Sequence, residues 1–108
     1  MRILLTGSTG FIGSAIREFN LDVVSVLRGL NRSITPRFNI NRFDSSVNWD
    51  GAFDNVSSII HLAGLAHSKA YTSSELHEVN VNGTLHLAKE AAKAGVRRFV
   101  FVSSIGVN

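Results

Sequence analysis

Ile3-Leu4-Leu5-Thr6-Gly7-Ser8-Thr9-Gly10-Phe11-Ile12-Gly13 opens the chain and decides its fold. A short apolar run ends at a glycine, and helically spaced apolar residues follow at Phe11, Ile12, Ala15, Ile16 and Phe19. An uninterrupted apolar run suits a strand buried on both faces, as parallel sheets require. Strand, glycine-rich turn and helix together form the first half of a βαβ unit. The glycines follow G-x-x-G-x-x-G. One allows a tight turn, another lets the backbone approach a pyrophosphate, and the third lets helix pack closely on strand. The first amides of the helix then face the phosphates, aided by the helix dipole. No Gly-Lys-Ser/Thr ending follows, which excludes a P-loop.

Outward from this turn, the pattern repeats. Val23-Val24-Ser25-Val26-Leu27 reads as a second strand, and Phe38-Asn39-Ile40 as a weak edge strand in a stretch rich in Asn, Ser and Arg that holds Pro36. Ser58 to Ala63 reads as a further buried strand. A long helix is expected from Glu75 to Ala94, with Thr72 and Glu75 at capping-box spacing and Gly95 as its stop. Its small or apolar face is Leu76, Val79, Gly83, Leu87 and Ala91. Arg98-Phe99-Val100-Phe101-Val102-Ser103 closes the series as a strong strand. The expected fold class is α/β, a Rossmann-like doubly wound parallel sheet, truncated after the fifth strand, in one domain over residues 1–108.

Composition agrees. The chain has 108 residues, 44% of them hydrophobic, enough for one modest core. Eleven Lys and Arg against eight Asp and Glu give +3. The basic residues are scattered, and Arg97-Arg98 is the only adjacent pair, so no nucleic-acid footprint emerges. No apolar run is long enough to span a membrane. With no cysteine, a disulfide framework is excluded and a reducing compartment fits; a cytoplasmic location is expected. His61, His67, His77 and His86 form no set at metal-ligand spacing, although Glu90 stands four residues after His86, so no metal site is expected.

Four motifs carry a family resemblance: Thr6 to Gly13; His61-Leu62-Ala63-Gly64; Asn80-Val81-Asn82-Gly83-Thr84; and Phe101 to Asn108. In order and spacing the chain resembles the NAD-dependent epimerase/dehydratase family of extended short-chain dehydrogenase/reductases, and within it the UDP-sugar 4-epimerases. That resemblance implies cofactor contacts at Gly7, Gly10, Phe11, Ile12 and Gly13, and backbone contacts at Leu62, Ala63, Gly64 and Leu65. Asn80 either fixes the active-site backbone beside the cofactor or is a buried polar group satisfied locally. Ser104 matches the catalytic serine that hydrogen-bonds the substrate oxygen. His61 is expected to be structural rather than a base, and Asp44 is a candidate reader of the adenine amino group.

Two departures from the family pattern matter. Where NAD-preferring members carry an acidic residue after the second strand, this chain has Leu27, followed by Arg28. Arg28, with Arg32 to assist, could pair with a 2′-phosphate, so the residues favour NADP(H) over NAD(H). The Tyr-x-x-x-Lys pair is missing, since the single tyrosine, Tyr71, is followed at position 75 by Glu75. The resemblance therefore implies the cofactor-binding part of a nucleotide-sugar epimerase or dehydratase, inactive by itself. Its full-length parent would be an NAD(P)-dependent enzyme with a nucleotide-sugar substrate and a homo-oligomeric assembly. The competing reading is a non-catalytic NAD(P)-binding redox sensor or regulator.

Overall fold

The computed structural model describes residues 2–19, 22–29, 33–62 and 71–102. Strand β1 (Arg2–Thr6) leads through the glycine turn into helix α1 (Phe11–Glu18), then β2 (Asp22–Arg28), β3 (Arg37–Ile40) and β4 (Val56–His61). After the undescribed residues 63–70, α2 (Ser73–His77), a π-helical segment (Glu78–Gly83) and α3 (Thr84–Lys93) run continuously, and β5 (Arg98–Phe101) completes the sheet. All pairings are parallel, in the order β3-β2-β1-β4-β5. This is the doubly wound arrangement: the chain moves one way from β1 to β3, then returns to place β4 on the other side of β1.

Two apolar layers explain the uninterrupted strand runs. Alternating side chains send Leu4, Val24, Val26 and Ile59 to one face, where Leu87 and Ala91 of α3 cover them with Phe43, Trp49 and Ala52. Ile3, Leu5 and Val23 face the other way, under Ile16 of α1. With helices on both faces, β1 buries every side chain from Ile3 to Thr6. The edge strands are short, four residues each, and Val100, Phe101 and Val102 at the β5 side are about half exposed.

Three local features depart from the sequence expectation. The α1 stripe turns only Gly13 and Ile16 inward, leaving Phe11, Ile12 and Phe19 exposed. The helix lies too close to the sheet for a wider apolar face, because Gly13 is its contact point. The long helix begins at Ser73, with the Thr72–Glu75 capping box formed in both directions, and its middle is a π segment instead of α-helix. Its end is as expected: the Gly95 amide reaches the Ala92 carbonyl and the Val96 amide the Ala91 carbonyl, a Schellman closure.

Between β3 and β4 the described chain forms turns around an aromatic cluster. The Trp49 ring stacks on Phe38 at 5.7 Å and meets Phe43 edge-on at 6.0 Å, with Phe53 on a further side. The Trp49 indole N–H is buried with no partner among the described residues.

Candidate functional site

At the carboxyl ends of β1 and β2 the sheet opens into a cleft of about 500 Å³, beside the point where strand order reverses. Open α/β sheets bind ligands at such switch points. The glycine turn forms its floor. Gly7 takes φ +71, and the Gly10 amide bonds back to the Gly7 carbonyl at 3.2 Å. Gly10 then caps α1 without any side-chain hydrogen bond, and no acidic side chain occupies the first turn. The leading amides of α1 are left for an anion, which the helix dipole favours.

Gly13 and Gly10 differ in what they serve. A Cβ on Gly13 would lie 2.1 Å from the Gly7 carbonyl oxygen and 2.7 Å from the Ser8 Cα, so this glycine is demanded by helix–strand packing. A Cβ on Gly10 would meet only that same oxygen, at 3.5 Å, an ordinary contact. The fold does not need Gly10 to be bare. Its missing side chain leaves room in the cleft, as the close approach of a pyrophosphate would require.

The remaining walls come from strand ends. Arg28 is exposed at the end of β2 and is the single charged side chain lining the cleft among the described residues, whereas Leu27 before it is buried. Among the described residues no carboxylate lines the cleft. Leu62 lines it beyond β4, its amide held by the Thr6 hydroxyl at 3.0 Å. Thr6, Val26, Asn41, Phe43 and Val79 also line it, though the sequence did not single them out for this. Strand termini carry no motif of their own, and the signal available was their place just before or after a predicted strand end.

The other sequence candidates distribute as follows. Phe11 and Ile12 stand outside the cleft with exposed side chains, so their contribution there is limited to backbone amides at the start of α1. Asn80 sits half-buried in the π segment, next to Val79 but not itself a lining residue. Asp44 is buried outside the cleft, accepting from the Ser46 amide at 2.8 Å and from the Ser46 hydroxyl, with Arg42 at 3.4 Å. Ala63, Gly64, Leu65, Arg32 and Ser104 lie outside the described residues.

Two polar clusters brace these walls. His61 is fully buried, its Nδ1 2.6 Å from the Thr6 hydroxyl and its Nε2 2.9 Å from the Thr84 hydroxyl, with the Phe43 ring stacked on it at 4.9 Å. Burial lowers its pKa from 6.5 to about 4, so it is neutral at physiological pH. It ties β1, β4 and α3 together, as a structural histidine does. Glu78, in the π segment, accepts from the Ser45 hydroxyl at 2.6 Å, the Asn82 amide at 2.9 Å and the Ser45 backbone amide at 3.0 Å. Those bonds, the Ser45 hydroxyl first, hold its carboxyl near pKa 2. Gly83 completes the junction, since a Cβ there would come within 3.0 Å of the Phe43 ring.

The model of the NAD-dependent epimerase/dehydratase family matches residues 3–107. The chain belongs to that family. A UDP-glucose 4-epimerase from Vibrio cholerae is 36% identical over 98% of this chain, which corresponds to 35% of that protein's length. A solved short-chain dehydrogenase/reductase superfamily protein from Agrobacterium tumefaciens with bound NAD is 31% identical, with a TM-score of 0.69 over 96% of this chain and 33% of its own. A UDP-N-acetylglucosamine 4-epimerase from Bacillus cereus superposes with a TM-score of 0.76 over the whole chain and 37% of its own; at 20% identity that likeness speaks for the fold alone. The chain thus spans about a third of the family relatives it matches. Among the described residues no helix is long and apolar enough to cross a membrane.

Proposed function

We propose that this chain holds the dinucleotide of a nucleotide-sugar epimerase or dehydratase, which oxidises and re-reduces one sugar carbon. The observation that carries this reading is the bare Gly10 at the uncapped start of α1, in a cleft at the sheet's switch point. The residues present fit a dinucleotide: amides for the pyrophosphate, apolar walls at Val26, Ile40 and Phe43 for an adenosine, and a cation at the β2 end. When bound, the nicotinamide supplies the hydride acceptor and donor. The chain's own part is to bind and orient. Gly7, Gly10 and the amides of Phe11, Ile12 and Gly13 take the phosphates, and Leu62, Ala63, Gly64 and Leu65 serve the ribose through their backbone groups. Asn80 steadies the adjoining backbone, and Ser104 donates its hydroxyl to the substrate oxygen.

NADP(H) is the preferred form in this reading. A ribose 2′-hydroxyl seeks a carboxylate acceptor, a 2′-phosphate a cation; among the described residues the cleft offers no carboxylate, and Arg28 is there without an ion-pair partner. Calorimetric titration tests both levels. NADPH is expected to bind roughly tenfold more tightly than NADH, a difference of about 1.4 kcal/mol, and Arg28→Met should level the two. Equal or tighter NADH binding by the wild-type protein would remove the preference and leave the cleft reading intact. No binding of either would remove the cleft reading. The exposed Val81 and Leu85 support self-association through the π segment and α3, which sedimentation can check.

A further inference from the structure

Arg17 has no part in the site as described so far, yet it reaches into the glycine turn from behind. Its Nε donates to the Ser8 carbonyl at 2.9 Å, and a terminal nitrogen lies 3.4 Å from the Ser14 hydroxyl. No carboxylate among the described residues pairs with it. Ser8 is buried, while Thr9 beside it is exposed and lines the cleft. We infer that Arg17 is a positioning residue that sets the orientation of the Ser8–Thr9 peptide in the anion cradle.

The reasoning is geometric. A trans peptide is planar, with its C=O and N–H pointing in opposite directions. Fixing the Ser8 carbonyl on the Arg17 side therefore turns the Thr9 N–H to the opposite side. A flipped peptide would present a carbonyl oxygen where an anion is expected, exchanging a donor for a repelling acceptor. A guanidinium suits the task because its planar Nε–H is a directed donor and stays charged at any working pH. It also leaves a positive charge behind the turn, in no ion pair among the described residues.

This inference rests on the cleft binding a dinucleotide, but part of its test does not. The amide resonances of Thr9 and Gly10 are compared in the wild-type protein, Arg17→Met and Arg17→Lys without ligand, and the dissociation constant for NADPH is then measured for each. Arg17→Met is expected to move the Thr9 resonance and weaken NADPH binding about tenfold. Arg17→Lys keeps the charge but loses the planar donor, and should fall between. Val23→Ala, which removes buried methyls beneath α1, serves as the stability control: its melting temperature should drop with the NADPH constant unchanged. An unmoved Thr9 resonance in Arg17→Met overturns the inference. So does an equal loss of affinity in Val23→Ala. If the wild-type protein binds no dinucleotide, the cleft reading fails, and the ligand-free Thr9 resonance still decides whether Arg17 sets the turn.

Discussion

Replacing Gly13 and Gly10 by alanine, one at a time, separates what the fold needs from what a ligand needs. At Gly13 the new Cβ would sit 2.1, 2.7 and 2.9 Å from three backbone atoms of Gly7 and Ser8. Non-bonded carbon atoms settle at about 3.5–4.0 Å, so the closest contact falls more than 1 Å short. No side chain can swing aside. Helix α1 must lift from β1 by roughly that distance, loosening Ile16 from Ile3, Leu5 and Val23. Overpacking costs about 1–3 kcal/mol where side chains can yield and more where backbone must move, which puts this contact at about 3–4 kcal/mol. Alanine regains up to ~1 kcal/mol of helix propensity over glycine. A net loss of about 2–3 kcal/mol remains, against a total of about 5–15 kcal/mol for a domain. At ~4–8 °C per kcal/mol, the melting temperature should fall by about 10–20 °C, read by circular dichroism. Gly10→Ala should stay within about 1 kcal/mol of the wild-type protein, because its Cβ finds 3.5 Å of clearance. It should nevertheless weaken NADPH binding tenfold or more, equivalent to ~1.4 kcal/mol. A Gly13→Ala protein as stable as the wild type, or a Gly10→Ala protein equally destabilised, would refute the division of labour.

Two further outcomes concern pH and the loop clamp. His61 has a folded-state pKa depressed to about 4, so its contribution to stability is complete above its unfolded value near 6.5 and is lost as pH falls from there toward 4. The loss should reach roughly 3 kcal/mol, visible as a falling urea midpoint across that window; a flat midpoint between pH 6.5 and 4.5 would contradict the buried, neutral imidazole. Glu78→Ala should release the Ser45 amide, seen as faster hydrogen exchange at Ser45 with exchange at β1 unchanged.

Much of this architecture could be read directly from the chain. β1 and β2 were visible because both sheet faces are covered, which makes their runs uninterrupted, and the Thr72–Glu75 box and the Gly95 stop are chemical signals with fixed spacing. β3 was legible as a weak edge strand for the opposite reason: only four residues pair, on one side. The π segment was not foreseen, although Val79, Gly83, Leu87 and Ala91 recur every four residues. In a straight α-helix that spacing drifts by about 40° at each step, and a wider turn takes some of the drift back. The apolar spacing marks α1 as a helix but does not tell its inward face: Phe11 and Phe19 are exposed, and proximity to the sheet selects Gly13. In the site, the glycine turn and Arg28 were legible from the motif and its place between strand and helix. Asn41, Phe43 and Val79 were not, because long-range packing of the 41–46 loop against the π segment brings them together, and no local spacing encodes it. Asp44 is a suitable residue type that lies outside the cleft, engaged by Ser46 and Arg42.

Trp49 gives the molecule a built-in optical reporter. It is the single tryptophan, 3% exposed among Phe38, Phe43 and Phe53, so native emission should come from one indole in apolar surroundings, at the blue end of its range. Phe43 touches this ring from one side and borders the cleft on the other. An occupant pressing on Phe43 would thus change the colour and yield of that emission without any attached dye. Unfolding would shift the same signal to the red, so a single spectrum distinguishes a filled cleft from a lost core.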